Sequence, residues 1–124
     1  MSIETSICTL NKKVDDLVEI RMIEEYKVHI ADILEIQKGF KQLTLEGKKY
    51  PVLVVPGRYG GLADETKGMD MLEVYHERVH KLALVTPKLR QKLLAKFYFN
   101  YISKPNYDYQ LFSNEQSALK WLMN

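Results

Sequence analysis

The stretch Tyr109-Gln-Leu-Phe-Ser-Asn-Glu-Gln-Ser-Ala-Leu-Lys-Trp-Leu122 reads as a strand that stops and a helix that starts at once. Ser113 and Gln116 have the spacing of a capping box, in which each side chain meets the other's backbone N–H. Ala118, Leu119 and Leu122 then form one apolar stripe with Trp121 beside it. A helix built this way docks as a layer on a sheet.

Upstream, the same alternation of short apolar runs and helical periods repeats. Tyr107 to Phe112 is the last strand. Leu89, Leu93 and Phe97 recur every four residues, with Tyr101 continuing the row, so they are expected to face the core. Thr86 as N-cap and Pro87 in the first turn would start that helix. Leu82 to Val85 and Val52 to Val55 are short apolar runs, as strands buried on both faces are. Between them, Pro56 to Gly61 reads as a loop and Asp64 to Tyr75 as a helix presenting Met71, Leu72 and Tyr75. Ile33, Ile36, Phe40 and Leu43 give a further helix over Asp32 to Leu45, in which Gly39 marks a close packing contact. Thr5 to Leu10 and Leu17 to Ile23 alternate around a turn, a hairpin. Glu24 to His29 either extends its second strand or leads into the helix.

The expected fold is therefore α/β. It has a mixed, mostly parallel sheet of about five strands, an N-terminal hairpin followed by alternating helix and strand, and about four helices. The 124 residues form one domain, 1–124, large enough to fold without a metal or disulfide. Cys8 is the only cysteine, which excludes an intrachain disulfide and fits a cytoplasmic protein. There is no signal-peptide pattern and no apolar run of membrane-spanning length.

Charge is uneven. Residues 1–76 carry ten Lys/Arg against thirteen Asp/Glu; residues 77–104 carry seven against one, Glu77. The basic residues Lys88, Arg90, Lys92 and Lys96 lead into an aromatic run, Phe97, Tyr98, Phe99 and Tyr101, with Tyr107 and Tyr109 beyond. Basic residues beside aromatics suit single-stranded nucleic acid or an anionic membrane surface. Here the helical spacing favours aromatics in the core and lysines on a solvated face, and nucleic-acid binding is not expected. Not all of these aromatics fit one core, however. Phe97, Tyr98, Tyr101 and Tyr107 are candidates for a ligand pocket or a subunit interface, including a homodimer's.

The loop after Val55 lies where open α/β sheets bind ligands, beyond a strand's carboxyl end. Gly57, Gly60 and Gly61 match neither a phosphate-binding loop nor a dinucleotide fingerprint, and Asp64 and Glu65 would repel phosphate. They read as turn glycines supplying positive φ. His76 and His80 have metal-ligand spacing, but the helix is expected to end between them, so they would not share a face. No Gly-x-Ser-x-Gly is present, adjacent carboxylates point to opposite faces of strands, and Cys8 has no base near it in sequence. The sequence thus offers no assembled catalytic set, and neither an enzyme, a metal nor a cofactor is expected.

Tyr50-Pro-Val-Leu-Val54, Ala83-Leu-Val85, Phe97 to Pro105, Leu111-Phe112 and Ala118-Leu-Lys-Trp-Leu122 together resemble small bacterial proteins of the STAS/SEC14-like group, similar in fold to anti-sigma-factor antagonists. The resemblance runs from about Val14 to the end and implies a mixed sheet with helices, no cofactor and no enzymatic activity. In such antagonists a serine at a helix start is phosphorylated to break partner binding. The matching stretch here is Asp64-Glu65-Thr66-Lys67-Gly68, with Thr66 its only hydroxyl and Glu65 near the phosphoacceptor position. The resemblance implies a regulatory protein-interaction domain whose partner surface includes Arg58, Asp64, Glu65, Thr66 and Lys67. The alternative is a small-molecule or lipid carrier using residues 97–109.

Overall fold

The computed structural model describes residues 1–66, 72–103 and 105–124, and of residues 73, 74 and 101–103 the backbone alone. Strands β1 (Ser2–Glu4), β2 (Cys8–Lys12) and β3 (Val18–Met22) form an antiparallel meander. β4 (Glu25–Val28) leads into α1 (Ile30–Leu43), followed by β5 (Tyr50–Val55) and β6 (Tyr59–Leu62). Two 3₁₀ segments, Asp64–Thr66 and Glu73–Arg78, precede β7 (Val79–Val85). α2 (Leu89–Phe97) runs on as a π-helical turn, Tyr98–Ser103, before β8 (Asp108–Phe112) and α3 (Glu115–Leu122).

The main sheet has six strands in the order β1-β2-β3-β5-β7-β8, with β3, β5, β7 and β8 parallel. Strands that advance in one direction in parallel place every crossover on the same face. α1 and α2 accordingly cover one face. Ile33, Ile36, Phe40 and Leu43 of α1 pack there with Leu10, Ile20, Val52 and the fully buried Tyr50. A Cβ on Gly39 would lie 3.2 Å from Leu10 Cδ1, so α1 sits close on β2 because that residue is glycine. Among the described elements α3 alone covers the other face, with Ala118 and Leu122 against Leu17, Leu53, Ala83 and Val85.

The inner parallel strands and the closing strand and helix lie where the sequence puts them; the hairpin forms with its first strand at Cys8–Lys12, not Thr5–Leu10, and several other details differ. Three α-helices are present among the described residues, not four. The stretch expected as a helix from Asp64 to Tyr75 is two 3₁₀ pieces at its ends, and residues 67–71, with Lys67 and Met71, lie outside the described residues. β1 adds a sixth strand to the sheet. Pro56 to Gly61 is not simply a loop, since Tyr59 to Leu62 is a strand. α2 starts after Lys88, not at Thr86: Thr86 is buried and its N–H donates to Phe112 O at 2.7 Å, which holds it at the strand end. The cap of α3 is Asn114, whose Oδ1 accepts from Ser117 N–H at 2.9 Å, one residue beyond the expected Ser113.

β4 and β6 form a second, two-stranded parallel ribbon. Val18 faces Val52 and Glu25 faces Tyr59, partners 34 positions apart in both cases. The ribbon is therefore the β3–β5 ladder resumed in register after a break at Ile23–Glu24 and Pro56–Arg58. Pro56 lacks the N–H a ladder needs. Gly57 lets the two chains close at the bend, where a Cβ would stand 1.9 Å from Ile23 O. Tyr59 N–H donates to Glu24 O at 2.8 Å and restarts the pairing.

Candidate functional site

This bent arm creates a cavity. Side chains alternate along β3, β5 and β7, so Met22, Val54, Leu82 and Leu84 point to the face that carries α1 and α2. The arm folds over their carboxyl ends with Tyr26, Val28 and Leu62 turned inward, and Leu94, Ala95 and Phe99 close the side opposite α1. The space is about 230 Å³ and partly open to the surface, and none of the described side chains lining it is charged. Among the described residues its polar side chains are few: Gln91, Thr86, Tyr26, Tyr98 and Tyr107.

Gln91 joins the two walls. Its Oε1 accepts from Lys88 N–H at 3.2 Å, and its Nε2 donates to Gly57 O at 3.4 Å. The Lys88 ammonium lies 5.5 Å from the centre of the Tyr59 ring, a second link between α2 and the arm. Tyr26 lies on Gly60, where a Cβ would come within 2.0 to 2.3 Å of its ring. Burial pushes the Tyr26 phenol above its ordinary pKa, while contact with the Gly57 backbone pulls the other way. Aromatic packing supports the far wall. Phe99 stacks on Tyr109 with centroids 4.3 Å apart, Tyr98 meets Phe99 edge-on at 5.4 Å, and His76 meets Tyr107 edge-on at 5.2 Å.

The glycines of this region do not supply positive φ: among described glycines only Gly47 has it, at 83°. Gly57 and Gly60 are small because backbone and a tyrosine ring press on them. Of the predicted pocket residues, Tyr98 and Tyr107 lie in the cavity wall. Phe97 is turned outward and is 57 % exposed, as are Leu89 at 72 % and Leu93 at 57 %, so this row is not a core stripe. The reason is that α2 buries its other edge, Ala95, continued by Phe99. The Tyr101 side chain lies outside what is described.

Arg58, Asp64 and Glu65 are exposed on and beyond the arm. Arg58 Nε is 3.7 Å from Glu24 Oε1, and His29 Nδ1 is 3.1 Å from Glu65 Oε1. Thr66 is different. It is fully buried, and its hydroxyl lies 2.8 Å from Val28 O and 2.9 Å from Ala63 O, toward which it donates. In this fold the Thr66 hydroxyl ties the first 3₁₀ segment to the arm. Lys67 lies outside the described residues.

Sequence reading missed the cavity's aliphatic wall, since Met22, Val54, Leu84 and Ala95 look like ordinary core residues one at a time. For Met22, Val54 and Leu84 the available signal was their position at or near the carboxyl ends of strands, Val54 beside a Pro-Gly break. Cys8 is buried. Among the described residues no group of three or more His, Cys, Asp or Glu could hold a metal, and no helix is long and apolar enough to cross a membrane.

Fold and site together define a small α/β domain with an apolar cavity at the carboxyl end of a parallel sheet. The chain belongs to the family described as Domain of unknown function (DUF7793), whose model matches residues 10–124. No curated protein and no solved structure matches it.

Proposed function

We propose that the protein is a non-enzymatic binding domain for a small, uncharged or largely apolar molecule held in this cavity. The observation that carries the reading is the cavity itself, about 230 Å³ and walled by aliphatic and aromatic side chains with a few convergent polar groups. Against an apolar protein cavity of about 150 Å³ that takes up benzene, it has room for roughly ten carbon atoms. No described side chain of the wall is charged, which disfavours an ionised group inside, because burying one without a partner is costly. Of the two functions expected from sequence, this is the carrier reading, with Tyr98 and Tyr107 retained and the arm added.

The test is native mass spectrometry of the protein taken gently from its host, followed by solvent extraction. A released small apolar molecule supports the reading. Repeated extractions that return nothing, together with no uptake of neutral apolar probes, would remove it.

A second reading, a regulatory interaction domain of the STAS/SEC14-like kind, draws support from the exposed charges Arg58, Asp64 and Glu65 beyond the strand ends. Its partner would be a protein. Charge reversal at Asp64 and Glu65 that leaves that partner's affinity unchanged would exclude it.

A further inference from the structure

α2 carries its apolar residues on the wrong side for a core helix. At about 100° per residue, Leu89, Leu93 and Phe97 share one side, opposite Gln91 and Ala95, which face the cavity. Leu89, Leu93 and Leu94 are 72 %, 57 % and 60 % exposed on two adjoining turns. Exposed cations flank this strip, with Lys92 and Lys96 along one border and Arg90 on the other. From Arg78 to Tyr107 the chain contains no Asp or Glu at all. An apolar strip edged by lysine and arginine, lying along a surface helix, has the layout of a helix that rests in a membrane interface.

We infer that α2 docks the protein on an anionic lipid surface, with Leu89 and Leu93 entering the headgroup boundary and Arg90, Lys92 and Lys96 meeting lipid phosphates and carboxylates. Charge decides between the possible occupants. A second copy of this chain placed strip to strip would set cationic borders against each other, because α2 offers no acid to complement them. An anionic bilayer satisfies the apolar strip and the cations together. Because Leu94 and Ala95 also wall the cavity, the docked face would be the outer side of the ligand site. That link deepens the carrier reading, but the docking rests on the exposed surface of α2 alone.

The experiment is flotation of the full chain with vesicles of phosphatidylcholine alone and of phosphatidylcholine with phosphatidylserine, at low and high salt. Uptake of a neutral apolar probe, naphthalene, is measured on the same protein preparations without vesicles. The wild type is expected to float with the anionic vesicles, less so at high salt. Leu89→Ser/Leu93→Ser should lower partitioning about tenfold or more, and Arg90→Glu/Lys96→Glu by a similar factor. Both double variants alter exposed residues outside the cavity wall, so probe uptake should stay as in wild type. Uptake without flotation would overturn the docking and leave the carrier reading standing; flotation without uptake would do the reverse. Binding that ignores both double variants, or a concentration-dependent dimer that the leucine variant dissolves, would also overturn the docking.

Discussion

Replacing Gly57 with alanine tests whether the bend in the paired strands is what shapes the site. The new Cβ would lie 1.9 Å from Ile23 O and 2.8 Å from Glu24 O. These are backbone atoms, which cannot rotate away as a side chain can, so the two chains must part by roughly 1 Å or more to reach an ordinary contact. Overpacking of this kind costs about 1–3 kcal/mol. The movement also strains the 2.8 Å hydrogen bond from Tyr59 N–H to Glu24 O, worth about 1 kcal/mol. The expected loss is about 2–4 kcal/mol, a large share of the stability of a domain this size but short of unfolding it. Urea denaturation should show a lower midpoint with little change in slope, and naphthalene uptake should weaken as Tyr26 and Leu62 shift. Gly61→Ala is the control: a Cβ there meets nothing within 4 Å, so the variant should be neutral or gain about 0.4–1 kcal/mol. A Gly57→Ala protein as stable as wild type would refute the argument that close approach at the bend requires glycine.

Three further outcomes follow from the geometry. Asn114→Ala should cost about 1 kcal/mol of stability through loss of the α3 cap, whereas Ser113→Ala should cost much less, and thermal melts of the two distinguish the caps. Burial pushes the Glu19 carboxyl up, but hydrogen bonds from Lys13 and Arg21 and their charges outweigh it and hold the group below the ordinary carboxylate range. Its contribution is therefore present above about pH 4.3, the usual unfolded value, and lost as pH falls through the lower folded value; Glu19→Gln should flatten that acid limb in urea midpoints measured against pH. Burial pushes the Cys8 thiol up, so its contribution is full below about pH 8.5 and fades as pH rises through the higher folded value. Native Cys8 should resist iodoacetamide, reacting at the rate of chain opening, and fast stoichiometric labelling of folded protein would contradict its burial.

The parts of the fold legible in sequence are those set by local pattern. Ile33, Ile36, Phe40 and Leu43 mark α1 because their spacing fits only one face of a helix, and Val52 to Val55 marks an inner strand because both its faces are apolar. The arm was illegible for a physical reason. Glu25-Tyr-Lys-Val28 and Tyr59-Gly-Gly-Leu62 are too short to declare themselves, and each is a strand only through the other, in a register inherited from β3 and β5. α2 misled for the opposite reason. Its four-residue apolar spacing is a true helical signal, but spacing does not say whether the stripe faces a core or the outside. Within the site, the tyrosines at 98 and 107 drew notice because they exceeded what one core could hold. The aliphatic wall did not, since a leucine lining a cavity and a leucine filling one read the same in sequence.

The central claim is that the cavity beneath the arm takes up a small apolar molecule, and the most direct measurement is a fluorescence titration of the protein with naphthalene. Wild type should bind about one equivalent, with a dissociation constant on the order of micromolar for a ligand of that size. Ala95→Phe, which places a ring into the space, should abolish saturable uptake while the protein stays folded, and Leu84→Trp should do the same from the opposite wall. Saturable binding that survives both substitutions, or no binding to wild type at all, would contradict the assignment.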